Sequence, residues 1–176
     1  MNVNKKLIRN YQIFSIIFTF ILGTLLHFTY KWSGENQYVA WLSSINESVW
    51  EHLKLAYFPM MLTVIFGYFF VGKKVSNFLC SKIIGIIIAL VFMVTFFFTY
   101  TGILGKNIPV IDIASFYVAV VLGEYVAYRL MVSMFKCNYK IALVILVVLG
   151  FSFIYFTYNT PNIGIFKDPI TGKYGL

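Results

Sequence analysis

Two glutamates, a histidine and a lysine are gathered in the run Asn46-Glu47-Ser48-Val49-Trp50-Glu51-His52-Leu53-Lys54. The whole chain has only 6 acidic residues and 2 histidines, so this is the first place to look for chemistry. Glu47 and Glu51 stand at i and i+4 and would share one face of a helix. Carboxylates that close repel unless a proton, a cation or a basic side chain lies between them, and Lys54 is the nearest such side chain. Together with His27, and flanked by Asp112, they could converge on a cation or a polar solute. Carboxylate oxygens and an imidazole suit a hard or borderline divalent metal, with His27, Glu47 and Glu51 as the expected ligands. A plainer reading pairs Glu51 with Lys54, makes Glu47 a helix cap and gives His27 a loop carbonyl, since acids gather at helix starts for dipole reasons alone. His52 lies about 100° round the helix from Glu51 and reads as a headgroup or packing residue bordering the site.

Glu124 is a different kind of signal. It stands alone in a long apolar run, and an acid near mid-bilayer costs about 2.5 kcal/mol or more, so such residues turn to the bundle interior. Tyr128, one turn on, is the expected hydrogen-bond donor. Two roles are open to it: a deep proton- or cation-accepting group, or a buried structural hydrogen bond.

The elements that must position these residues are membrane helices. The 176-residue chain is 60% hydrophobic and 11% charged, with a mean hydropathy of +0.83. A soluble core of this size cannot hide that much apolar surface; lipid can. The spacing predicts an all-α bundle of five transmembrane helices over about 11–30, 45–71, 81–104, 110–135 and 139–158. The whole chain is one transmembrane domain. A short interfacial helix is expected between the first two spans, in a Trp-rich stretch that reads as an aromatic belt. Ser44-x-x-Glu47 fits a capping box for the second helix, and Pro59 should kink it. Ser115, Ala119, Gly123 and Ala127 repeat every fourth residue and form a ridge on which another helix can approach closely. The tail, about residues 159–176, is rich in turn formers and could fold back as a lid.

The net charge of +8 does not imply nucleic acid, because the basic residues lie between apolar runs. They mark topology instead. Lys5, Lys6, Arg9, Lys73, Lys74, Lys82, Arg129, Lys136 and Lys140 fall on one side, which favours the N-terminus in and the C-terminus out. His27, Glu47, Glu51, His52 and Asp112 then meet at the outer face. Cys80 and Cys137 match no metal or redox spacing and are expected as free thiols on the reducing side. No HExxH, GxSxG, P-loop, GxGxxG or CxxC pattern occurs.

His27-Phe28, Trp32-Ser33-Gly34, the run from Asn46 to Lys54 and the ending Asp168-Pro169-Ile170-Thr171-Gly172-Lys173-Tyr174-Gly175 carry a likeness. In these the chain resembles an uncharacterised family of small integral membrane proteins of Gram-positive bacteria. The resemblance implies that the outer face matters and carries over no activity. The spacing does not match the metal-binding pattern of ceramidase-like membrane hydrolases.

The leading expectation is a multipass plasma-membrane protein that binds or transports a cation or small polar solute. Glu47, Glu51 and His27 would form the entrance, His52 and Asp112 would flank it, and Glu124 would be the deeper, proton-coupled station. The alternatives are a membrane-embedded, metal-dependent hydrolase of a lipid, with His52 or Asp112 as base, and a non-catalytic accessory subunit. A divalent metal ion is the expected cofactor, and the bilayer and a second copy are the expected partners.

Overall fold

The structure is a computed structural model that describes residues 4–133 and 135–175. It is all-helical, with five helices long and apolar enough to cross a membrane. These are α1 (Lys5–Trp32), α2 (Val49–Phe70), α3 (Phe78–Leu104), α4 (Pro109–Val132) and α5 (Tyr139–Tyr158). Short 3-10 turns at Val39–Trp41, Gly72–Lys74 and Gly164–Phe166 lie outside them. The protein is accordingly a multipass membrane protein. At about 1.5 Å per residue even the 20-residue α5 reaches about 30 Å, the thickness of the hydrocarbon layer.

Helices α1 to α4 close into a ring, each packed on the next and α4 returning to α1, while α5 lies outside on α2 and α3. The tightest seam is α3 on α4. A Cβ built at Gly85 would stand 2.5 Å from the Gly123 carbonyl oxygen, and one at Gly123 would meet the Gly85 carbonyl in turn. The small-residue ridge of Ser115, Ala119, Gly123 and Ala127 is buried and serves packing within one chain. Without a hydrophobic force between helices in lipid, such backbone approach supplies the attraction. Tyr57 fastens α5 by donating from its hydroxyl to the Leu146 carbonyl at 2.5 Å. The other face of α5, with Val144, Val148, Phe151 and Tyr155, is exposed and suits lipid chains.

Local chemistry moves several expected boundaries. Helix α1 starts at Lys5 because Asn4 caps it, accepting from the Leu7 N–H at 3.0 Å. Helix α2 starts at Val49, after the expected position, because Ser48 and not Ser44 is its cap. The Ser48 hydroxyl accepts from the Glu51 N–H at 3.4 Å. Gly105 ends α3 with φ 71°, a left-handed turn that favours glycine. The expected interfacial helix is the single turn Val39–Trp41. Trp50 packs on Phe153 and Phe166, with both ring centroids at 4.8 Å.

The cysteines are not free. Cys80 and Cys137 form a disulfide, with Cα atoms 6.3 Å apart. Sequence spacing hides this, because α3 runs away from its start and α4 brings the chain back. Asn77 marks the same closure, donating to the Leu130 carbonyl at 2.8 Å.

Gly123→Leu would drive a side chain into the Gly85 backbone. The expected loss is at least about 1–3 kcal/mol, read as a lower Tm in detergent. Purified protein handled without reductant should resist maleimide labelling and take up two labels after reduction.

Candidate functional site

His27, from the last turns of α1, meets Glu47 and His52 at the start of α2. One ligand-type atom from each lies within 4.8 Å of the others. Glu47 Oε2 is 3.4 Å from His52 Nε2, and Glu47 Oε1 is 3.8 Å from His27 Nε2. A tetrahedral ion bonded at about 2.0–2.1 Å would set its ligand atoms about 3.3 Å apart, so the three side chains would have to draw together from separations within 4.8 Å. The hydrogen bond with His52 holds the Glu47 carboxyl below the usual carboxylate range, against the opposing effect of partial burial.

The local fold aims these groups. Asn46 shapes the turn into α2, its Oδ1 accepting from the Ser48 N–H at 3.0 Å. The His52 Nδ1 lies 2.9 Å from the Ser48 carbonyl, which can only accept. That nitrogen therefore carries a proton, and Nε2 carries another where it hydrogen-bonds Glu47; a metal ion bound at Nε2 would take that second proton's place. The His27 Nδ1 is 3.3 Å from the Ser44 hydroxyl, which can fix its ring in the same way. Such outer partners commonly orient metal-binding histidines.

The cluster sits at the mouth of a cavity of about 340 Å³ whose walls are mostly apolar. Leu55, Met93, Phe97 and Phe116 line it, with Gly23 on one side. Asp112 lines it too. Its Oδ1 accepts from the Tyr100 hydroxyl, while Oδ2 has no protein hydrogen bond among the described residues. The tail reaches over this end. Phe166 packs on Trp50, Asn46 donates to the Gly175 carbonyl at 3.1 Å, and Ile170 lines the cavity.

A family model described as "Family of unknown function (DUF6512)" matches residues 1–176. The chain belongs to this family. No curated protein and no solved structure matches it.

In this DUF6512 chain two of the expected site acids turn elsewhere. Glu51 is not with His27 and Glu47. Its Oε2 lies 2.5 Å from Lys54 Nζ, with both side chains buried, and also accepts from the Ile45 N–H at 3.1 Å. The Thr157 hydroxyl accepts from Lys54 at 3.0 Å and donates to the Glu51 Oε1 at 3.0 Å. The pair thereby ties α2 to α5. His52 takes the third corner instead, one residue on and on the neighbouring face.

Glu124 is likewise spoken for. Lys82 Nζ lies 2.6 Å from both of its carboxylate oxygens, Ser15 donates to Oε1 at 2.6 Å, and Lys82 also donates to Ser15 at 3.0 Å. Gln12 donates to the Glu124 backbone carbonyl at 2.8 Å. The expected donor Tyr128 is not among its partners. Lys82 was expected as a topology marker at the helix start, but it is fully buried. One signal was available: an unpaired acid deep in an apolar helix requires a counter-charge, and Lys82 is the one basic residue in the expected span 81–104, which adjoins the helix of Glu124 in sequence.

Breaking this pair should be costly. Lys82→Met or Glu124→Gln alone is expected to destabilise by about 3–5 kcal/mol. The double variant Lys82→Met/Glu124→Leu should recover much of the loss in thermal unfolding.

Proposed function

We propose that the protein is a membrane-embedded, metal-dependent hydrolase acting on a lipid. One observation carries this reading: His27, Glu47 and His52 converge at the mouth of an apolar cavity that also holds Asp112. Two imidazoles and a carboxylate are a ligand set of catalytic zinc, which leaves a fourth position for water or substrate. A bound divalent ion would lower the pKa of that water to about 7 and polarise a carbonyl beside it. With His52 used as a ligand, Asp112 is the base that remains. Tyr100 holds one of its oxygens and leaves the other to take a proton from the attacking water. That proton would then pass to the leaving alcohol or amine as the acyl bond breaks. The apolar walls suit a lipid tail.

Transport has less support. The proton-coupled scheme expected from the sequence used Glu124 as its deeper station, and Glu124 is paired with Lys82.

Elemental analysis of protein purified without chelator should find about one divalent ion per chain, lost in Glu47→Gln and in His52→Ala. Asp112→Asn should keep the ion and slow hydrolysis of lipid esters or amides about 100-fold. A metal-free wild type, or ion content unmoved by both ligand changes, would overturn the reading.

A further inference from the structure

The helical walls of the cavity differ in exposure. The residues that line it from α2 and α3 are buried or half-buried, whereas the exposed helical ones, Thr24, Phe28, Pro109 and Ile113, all lie on α1 and α4. Two neighbouring seams are filled. A Cβ at Gly23 would stand 2.5 Å from the Leu55 carbonyl oxygen, so the α1 and α2 backbones touch there. Tyr100 on α3 donates to Asp112 on α4.

Helices α1 and α4 meet in matched register. Thr24 and Phe28 stand eight and four residues before Trp32, the last residue of α1; Tyr117 and Ile113 stand eight and four residues after Pro109, the first of α4. The two levels lie about 12 Å and about 6 Å in from the helix ends. The deeper level is closed. The Thr24 and Tyr117 hydroxyls are 3.3 Å apart, and Phe20 meets the Tyr117 ring edge-on, with centroids at 4.6 Å. At the shallower level Phe28 and Ile113 both line the cavity and are both exposed. The Phe28 ring rests on Trp32 of its own helix, 5.6 Å between centroids, and not across the seam.

Depth decides what meets this gap. The 24 residues of α4 reach about 36 Å, against about 30 Å of hydrocarbon. The gap thus stands about where headgroups give way to acyl chains. Phe28 follows His27 and Ile113 follows Asp112, so it opens at the level of the polar groups of the site.

We infer that the gap between Phe28 and Ile113 is a side entrance from the bilayer, and that the ligand is a membrane-resident lipid that inserts an acyl chain through it while its headgroup stays at the membrane surface. Which bond of that lipid reaches His27, Glu47 and His52 rests on the reading of the site given above, whereas the entrance stands on the cavity walls alone.

The full chain is reconstituted in phosphatidylcholine vesicles doped with a phosphatidylcholine that carries a diazirine on its acyl chain. Adducts are mapped by mass spectrometry after photolysis. Met93 is buried on α3 and lines the cavity, so an adduct there reports a chain inside; Phe151, on the exposed face of α5, reports ordinary lipid contact. Wild type should be labelled at both. Phe28→Trp/Ile113→Trp, which narrows the gap, should lose the Met93 adduct and keep that of Phe151. Phe28→Ala/Ile113→Ala, which widens it, should gain Met93 labelling and serves if the first double variant fails to fold. Chelator should leave both adducts unchanged, so a missing metal centre and a missing entrance give different results. An unlabelled Met93 beside a labelled Phe151 in wild type overturns the inference. So does Met93 labelling that neither double variant moves, or that is kept in the Trp variant and lost in Ile170→Trp, which narrows the mouth beneath the tail instead.

Discussion

An ammonium and a carboxylate shut away from water between α1, α3 and α4 govern how this bundle is put together. Lys82 and Glu124 are both fully buried. Neither charge can stand there alone, because removing one partner leaves the other uncompensated in a medium of low dielectric. Three helices must therefore arrive together: α3 brings the lysine, α4 the glutamate, and α1 the Ser15 hydroxyl that binds both. The contact also fixes register. The glycine seam of α3 on α4 requires Gly85 opposite Gly123, one residue before Glu124 and one turn beyond Lys82. Steric fit and charge pairing agree on one alignment.

A second pair repeats the device nearer the other end. Lys54 and Glu51, with Thr157 between them, join α2 to α5. Asp168 is spent on a turn, accepting from the Ile170 N–H and the Thr171 hydroxyl, each at 2.8 Å. Glu35 is exposed in a loop. Of the 6 acidic residues, only Glu47 and Asp112 remain to face the cavity, and both histidines stand beside it. The site is thus made of the ionisable groups that the fold does not use to hold itself together.

The opposite end presents a conflict between two rules. By the positive-inside rule its lysines and arginines would make it the cytoplasmic face, yet it holds the Cys80–Cys137 bond, and disulfides persist in oxidising compartments. The bond closes the ends of α3 and α4 that the glycine seam already brings together. It adds a restraint and leaves the architecture as the helices set it.

By itself the sequence determined the class of object and the number of spans, because hydropathy over about 20 residues is a local property that lipid reads directly. It also determined which residue types could do chemistry and that most of them belong to one end. The partners were decided by tertiary structure. Glu47 and Glu51 share a face in an ideal helix, but Glu47 precedes the first turn of α2, so the i, i+4 argument did not apply. His52 then took the place expected of Glu51, and a lysine from another helix took Glu124. Each of these outcomes depends on where a distant segment crosses, on the close approach of two glycines and on where an α-helix begins. No run of residues encodes such meetings, since a charge in lipid is satisfied by whichever opposite charge the packing brings within reach.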